Sequence, residues 1–501
     1  MDDRSGLIER VELDRPRVRP VPSCVSYSAR TSADPRHAPW MVDTVTGGAA
    51  LADHEAARRA ALGEAVERYC ANVVPPGLRT GSFTTLRRAG VNAVDPRELA
   101  LYSPAQYAHR GFPFVPLTPG LEIAWAAGRT LAGGDEVLVP ASLAYVNYFR
   151  GERAAEPPTN YPLLAGTAAG TSPLEATLSA LAELFERDAV TLWWLSGAPA
   201  AVPAFEPDAD GPLAAALTEA GRAGLRVSLL RIPSTFEVNV AGVFIEDPAR
   251  RLVAFGSACR PAAEAATAKA LTEAVGMHEA GLDLLDGEGP FWTAVRAGRI
   301  SRRPYRPHRN DRAHLDDFRP DLRDVNDVRL HLQLYLDPRA QDTRLDRLRH
   351  PAPAHPDPTR AEPARAEPAR AEPARAEPAR AEPARAEPAR AEPARADHAR
   401  AGSACAGRAG VLAGPSRRLD RYLGLLDDQG LRAVVVDLTV PEAAAAGLSV
   451  VRVIVPGLYS NAPAAFPFLG GERLYREPPA RGWTPGPLTE DDLVRVPLPF
   501  S

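Results

Sequence analysis

A mixed α/β layer fold is the class this sequence predicts, and three observations carry it. Helical stretches with apolar stripes alternate along the chain with short β-rich runs, which favours helices layered on sheet. At 501 residues the chain exceeds what one simple hydrophobic core serves, so two lobes or one elaborated domain are expected. Its apolar fraction of 45% and charged fraction of 24% are those of an ordinary globular protein.

The elements follow in chain order. Residues 1–43 include Arg15-Pro-Arg-Val-Arg-Pro-Val-Pro22, show little periodicity and read as an extended amino-terminal arm. From Asp53 to Tyr69 the residues are strong helix formers, with Asp53 placed to cap the first turn. Residues 137–140 and 143–148 read as short strands. Residues 174–195 read as a second helix, striped by Leu178, Leu181, Leu184 and Phe185. Strands are expected at 227–232 and 238–245, and a third helix at 262–280.

Ala-Glu-Pro-Ala-Arg then recurs in tandem over residues 361–395. A proline in every repeat removes an amide donor and clashes with the preceding turn, which forbids a continuous α-helix. With no large apolar residue to bury, the array reads as a disordered, solvated spacer. Order returns in two strand-like runs at 431–439 and 448–455, followed by a Pro456-Gly457 turn. The expected organisation is an arm (1–43), a main part (44–345), the low-complexity insert (346–405) and a carboxyl-terminal part (406–501).

Composition excludes several functions. A net charge of −4 with no basic cluster gives no field for nucleic acid. The 59 basic residues are almost all arginine, Lys269 being the only lysine, which reads as coding bias of a GC-rich genome. The acidic start, Met1-Asp-Asp-Arg4, lacks a secretory h-region, and no run approaches the apolar length of a membrane span. Cys24, Cys70, Cys259 and Cys405 are scattered without metal-ligand spacing. The expectation is a soluble cytoplasmic protein.

Two distant helical segments share a pattern. Glu64-Ala-Val-Glu67-Arg68 and Glu183-Leu-Phe-Glu186-Arg187 both read E-x-x-E-R. Residues i and i+3 share a helix face, so each helix presents two carboxylates beside an arginine. A single copy is commonplace on surface helices, where it is a solvated ion-paired face. Two copies facing each other would concentrate negative charge that hard divalent cations relieve through oxygen ligands. Magnesium bound this way bridges to phosphate oxygens, and the arginines can add charge to the same phosphates. Gly166-Thr-Ala-Ala-Gly170-Thr-Ser-Pro-Leu-Glu175 leads into the second copy as a Gly-rich turn at a helix start, a platform for phosphate.

The run from Gly166 to Trp194 resembles the signature segment of the YcaO superfamily, and Leu62-Gly-Glu-Ala-Val-Glu-Arg-Tyr-Cys-Ala71 resembles its earlier motif. Asp437-Leu-Thr-Val-Pro441, Gly447 to Leu458 and Leu469-Gly-Gly-Glu-Arg-Leu-Tyr475 resemble the azoline-forming cyclodehydratases that mature thiazole/oxazole-modified, ribosomally made peptides. The resemblance implies a YcaO-type fold with pseudo-repeated helix and sheet halves around a central ATP cleft. It implies ATP and Mg2+ as cofactors, with Glu64, Glu67, Glu175, Glu183 and Glu186 on the metals. Glu64, Arg68, Ala168, Thr171, Glu175 and Arg187 fall at nucleotide positions, and Arg68 and Arg187 at catalytic ones. In the implied reaction a Cys, Ser or Thr side chain of the substrate attacks the preceding carbonyl. ATP then phosphorylates the hemiorthoamide oxygen, and phosphate loss closes the ring.

This chain departs from the pattern at Ala60, Ala165 and Ala168, where small polar residues are expected, and at Gly276 and His278, where a Gln and an Arg are. Its proline-rich tail is only Pro497-Leu-Pro-Phe-Ser501. Three readings follow: a cyclodehydratase for bacteriocin-like modified peptides, a catalytically weakened scaffold of a biosynthetic complex, and a thioamide- or amidine-forming relative. The partners implied are a ribosomal precursor peptide and, with no leader-binding segment ahead of Thr44, a leader-peptide-binding partner protein, with a homodimer as the family's common assembly. Trp193 and Trp194 read as core aromatics, His278 as structural, Asp188 as a local cap or ion pair, and Cys70 as no nucleophile.

Overall fold

The computed structural model describes residues 6–16, 18–32, 44–341, 345–353 and 414–500. The pentapeptide array and Cys405 lie outside the described residues. In chain order the elements begin with β1 (Ile8–Leu13), β2 (Cys24–Thr31), β3 (Val45–Leu51), α1 (His54–Ala71), β4 (Arg79–Gly81), α2 (Phe83–Arg88) and α3 (Pro104–Ala108). There follow β5 (Ile123–Thr130), β6 (Glu136–Pro140), α4 (Ala141–Ala144), β7 (Thr167–Gly170), α5 (Pro173–Ser196) and α6 (Pro212–Arg222). Next are β8 (Arg226–Arg231), β9 (Asn239–Asp247), β10 (Leu252–Arg260), α7 (Ala263–Leu285), α8 (Pro290–Arg296), α9 (Arg329–Leu334) and α10 (Asp346–Arg349). Beyond the repeat come α11 (Pro415–Asp427), β11 (Val434–Asp437), α12 (Pro441–Ala445), β12 (Ser449–Ile454) and α13 (Arg473–Ala480).

These strands make three antiparallel sheets in chain order: first β1-β2-β3, second a larger one ordered β4-β5-β11-β12-β7 with β6 added beside β5, and third β10-β9-β8. The larger sheet is built from both sides of the repeat. β11 pairs with β5, and β12 pairs with β7, Val451 standing opposite Ala168. The sequence explains why β12 lies deep: Val450, Val451, Val453 and Ile454 are all buried. One helix joins the layers. α5 packs against β7 and β12 on the large sheet and against β10 of the third sheet. Its start is set by Ser172, whose side chain accepts from the Glu175 amide, with Pro173 at the first position; Gly197, at φ +74°, ends it. Burial of Leu181, Phe185, Leu192 and Trp193 contributes about 1.5–3 kcal/mol for each large apolar side chain.

The first and third sheets are built alike: three antiparallel strands, then a long helix laid on the last strand. A glycine makes each approach feasible. A Cβ on Gly48 would lie 2.0 Å from the Ala61 nitrogen, and one on Gly256 would lie 2.4 Å from the Ala274 nitrogen. The pseudo-repeated halves expected from the sequence are present as these two units.

Several expectations need correction. The amino-terminal arm is not free of structure: Arg10–Leu13 pair with Tyr27–Arg30, and β2 pairs along its length with β3. Glycines and intermediate burial in these strands blur the alternation that would have marked them. Residues 143–148 do not form a strand, because Ala141–Ala144 close a short helical turn and the Val146 amide donates to the Ala71 carbonyl. The boundary at 346 falls too early, since Leu348 of α10 is fully buried and Ala352 bridges to Ala201. Trp193 and Trp194 are core residues as expected, with Arg347 stacked 3.7 Å from the Trp194 ring centroid.

Candidate functional site

The two acidic helices converge on the short strand β7. Glu67 of α1 accepts a hydrogen bond from the Ala169 amide at 2.9 Å, and Glu183 of α5 accepts one from the Gly166 amide at 3.0 Å. Gly166 is at φ +87°, and a Cβ there would meet the Val453 carbonyl at 2.5 Å, so only glycine lets its amide face Glu183. Glu67, Arg68 and Glu183 line one small cavity with Leu164, Thr167, Val146 and Ala71. β7 is an edge strand, and Glu67 satisfies an amide that no neighbouring strand takes.

Glu186 performs the same service on the edge strand β10. Ser257 donates to it at 2.7 Å and the Cys259 amide at 3.2 Å, while Arg187 lies 3.4 Å away. Arg187 also stands 3.8 Å from Glu183, and its Nε and Nη1 are buried without a hydrogen-bond acceptor. Such underused guanidinium donors fit an anionic ligand. Glu64 pairs with Arg68 at 3.3 Å.

The electrostatics show charge crowding. Burial, then the negative charges of Glu183 and Glu64, pushes the Glu67 carboxyl up to about 8, against the pull of the Ala169 amide. Burial also raises Glu64 and Glu186, against the opposing pull of Arg68 and Arg187 respectively. A divalent cation would relieve this crowding. Among the described residues no three His, Cys, Asp or Glu side chains surround one point. Mg2+ commonly takes one or two carboxylates and fills its shell with phosphate oxygens and water, a role that the crowded Glu67 and Glu183 could serve.

Other expected residues sit apart. Glu175 accepts from the amide and hydroxyl of Thr171 at the exposed start of α5. Ala168 is buried in β7, so its methyl packs in the core and is not offered to a ligand. Most of the Gly-rich turn expected at 166–170 is β7, because residues 167–170 pair with β12; only Thr171 and Ser172 turn into the helix. His278 is structural as expected, with Nε2 at 3.2 Å from the buried Asp247. Asp188 is not a local cap. It receives both Arg473 amino groups, at 2.6 and 3.0 Å, and the Tyr459 amide at 2.9 Å, fastening the carboxyl-terminal region to α5. Cys70 is fully buried.

Sequence reasoning gave no part in this region to Arg452 or Lys269. Arg452 of β12 donates to the Leu163 and Leu164 carbonyls and to Thr167, bracketing Gly166 from behind; burial lowers its guanidinium to about 10. Its signal was an arginine inside an otherwise apolar strand. Lys269 and Glu273 of α7 form an ion pair whose charges act on Glu64, and the signal was the solitary lysine. The short tail is laid into the fold: Trp194 donates to the Val496 carbonyl, Tyr335 to that of Pro497 and the Phe255 amide to that of Pro499, which brings the Phe500 ring to 5.2 Å from the Arg187 guanidinium.

A family model described as YcaO cyclodehydratase, ATP- and Mg2+-binding, matches residues 48–459. The chain belongs to the YcaO family. In solved structures the YcaO fold recurs in a heterocyclase in complex with substrate and cofactor, at TM-score 0.61 and 18% identity, covering 98% of this chain and 55% of that one. It recurs in the YcaO of Methanopyrus kandleri bound with AMPPCP and Mg2+, at TM-score 0.51 and 17% identity, covering 92% and 91%. A Rhizobium leguminosarum bv. trifolii protein, described as an uncharacterized protein in the tfuA 3' region, is 30% identical over 234 residues, 44% of this chain and 52% of its own. The YcaO chain thus spans about half the length of that curated relative and of the heterocyclase. Among the described residues no helix is long and apolar enough to cross a membrane.

Proposed function

We propose that this protein uses ATP and Mg2+ to activate backbone amides of a ribosomally made precursor peptide, closing Cys, Ser or Thr side chains into azoline rings. The observation that carries the reading is the meeting of Glu67 and Glu183, from two helices far apart in sequence, on one cavity that also holds Arg68. The family description supports the cofactor pair, and the crowded carboxylates with the underused Arg187 donors fit it. When bound, MgATP supplies the phosphoryl group that turns the amide oxygen into a leaving group.

The chain's own residues hold and orient. Glu64, Glu67, Glu183 and Glu186 provide metal-binding oxygens, with Glu175 at the helix start beyond them. Arg68 and Arg187 set positive charge against the phosphates as charge builds on the transferred group. Arg452 fixes the loop whose amide restrains Glu183, and Phe500 shields one face of Arg187 from water. The parts before and after the repeat act as one domain, in the cytoplasm, with the leader peptide captured by a partner protein; a homodimer is the assembly tested alongside.

A catalytically weakened scaffold is a second reading, favoured by Glu67, Glu183 and Glu186 each already holding a backbone amide. Phosphate release and peptide mass, measured with precursor, partner and Mg2+, separate these. Loss of one water per ring with matched phosphate supports the proposal; exchange of oxygen for sulfur points to a thioamide; nucleotide binding without turnover establishes the scaffold.

A further inference from the structure

A helix ends on four carbonyls that its own amides do not satisfy. α1 ends beside the cavity, so the way its last carbonyls are taken decides how Arg68 is held. The Tyr69 carbonyl accepts from the Asn72 amide at 3.3 Å, and that of Cys70 from the Val73 amide at 3.1 Å. The other two are served from outside the helix backbone. The Asn72 side-chain amide donates to the Arg68 carbonyl at 2.8 Å, and the Val146 amide donates to that of Ala71 at 2.9 Å. Arg68, Ala71 and Val146 all line the cavity shared by Glu67 and Glu183.

Asn147, the neighbour of Val146, completes the arrangement. Its side-chain amide donates to Asn72 Oδ1 at 2.9 Å. That bond leaves Asn72 one orientation: oxygen toward Asn147, nitrogen toward the Arg68 carbonyl, which can only accept. Asn147 stands at φ +52°, in the left-handed region. Asparagine visits that region more readily than other side-chain-bearing residues, and glycine visits it at no steric cost. The turn alone would suit glycine; what asparagine adds is the donor. Both asparagines are half-buried, so water does not freely replace their bond. We propose that Asn147 is a positioning residue for Arg68: through Asn72 it clamps the last turn of α1 and keeps Arg68 and Val146 on one cavity wall. Without the clamp that turn frays, and the arginine samples orientations away from a phosphate in the cavity. The binding consequence rests on the reading of the cavity as the phosphate side of a nucleotide site.

Two substitutions in the full chain separate the donor from the turn. Asn147→Gly keeps the backbone conformation and removes the side chain, whereas Asn147→Asp keeps size and turn but can only accept. In N147D the carboxylate faces the Asn72 oxygen, so the Asn72 amide must swing away from Arg68. Hydrogen exchange over residues 69–73, read without nucleotide, should quicken about tenfold in both variants while each still unfolds cooperatively. Calorimetry with a non-hydrolysable ATP analogue and Mg2+ should show affinity about tenfold weaker in both. In an Arg68→Gln background neither substitution should weaken it further, because the relay acts through that arginine. Unchanged exchange in both variants overturns the proposal. So does an N147D that behaves as wild type, the mark of a residue wanted only for its shape, and so does full additivity with R68Q. No binding by the wild-type protein sinks the nucleotide reading instead, and the clamp then stands or falls on the exchange result.

Discussion

The β1–β3/α1 unit and the β8–β10/α7 unit share one plan, a three-stranded antiparallel meander with a helix seated on a glycine of its last strand. Their helices carry different chemistry. α1 turns Glu67 and Arg68 toward the cavity beside β7, while α7 pairs Lys269 with Glu273 and spends His278 on the buried Asp247. The contacts at the two glycines set the correspondence: Ala61 matches Ala274, so Ala60 of α1 matches Glu273 of α7. Backbone packing is what the two units have in common, and the polar face is where they part.

The most damaging way to break the comparison is at its shared feature. Gly48→Val and Gly256→Val should each cost about 3 kcal/mol or more, because the new Cβ meets helix backbone that cannot step aside. Urea denaturation of both variants checks this, and tolerance in one unit only would show that the two helices are not seated alike.

The helix faces come next. Glu67→Gln should weaken MgATP binding about tenfold to a hundredfold, the scale of one charged contact. Glu273→Gln should change it only a few-fold, since Glu273 does not line the cavity that Glu67 shares with Arg68 and Glu183. Parallel titrations settle whether α1 and α7 differ in kind or only in degree.

A pH experiment sharpens the same contrast. A glutamate titrates near 4.5 unfolded, whereas folded Glu67 holds its proton to about 8. The folded state therefore binds more protons between those values. Without metal, stability should fall as pH rises from about 4.5 to 8, by at most about 1.4 kcal/mol per pH unit, and level off above. The difference between wild type and Glu67→Gln isolates this slope from other groups, and saturating Mg2+ should flatten it by favouring the ionised carboxylate. A wild-type slope equal to that of the variant would show that Glu67 is not protonated in the free protein.

The smallest effect is expected at His278. His278→Gln should lose about 1 kcal/mol of stability by melting, because a buried hydrogen bond to Asp247 is weakened. MgATP affinity should not move; a loss there would place the latter half of α7 in the site.

How much of this was legible follows from the physics of each signal. The carboxylates were readable because their i,i+3 spacing marks a shared helix face; one of each copy, Glu67 and Glu183, lines a common cavity, while Glu186 is taken by Ser257 and Cys259 of β10. The long helices and the strands β8, β9, β11 and β12 were readable from apolar periodicity. β1 and β2 were not, because Arg10 to Leu13 and Cys24 to Thr31 mix exposed, intermediate and buried positions without clean alternation. The 166–170 run looked like a phosphate turn because glycines serve turns and close packing equally; only the pairing with β12 decides between them. Asp188 was misjudged because its partners, Arg473 and Tyr459, lie hundreds of residues downstream, and no local pattern announces such a contact.

The placing of β11 and β12 between β5 and β7 also orders events during translation. Until the region beyond the repeat leaves the ribosome, β7 has no strand on either side, and Arg452 is not yet made to fix the loop ahead of it. Both acidic helices are synthesised long before that, but the anchor for Glu183 must wait. A nascent chain therefore completes the support of Glu183 only after the region beyond the repeat has been made, when the hydrophobic cores of the first and third sheets have had time to form.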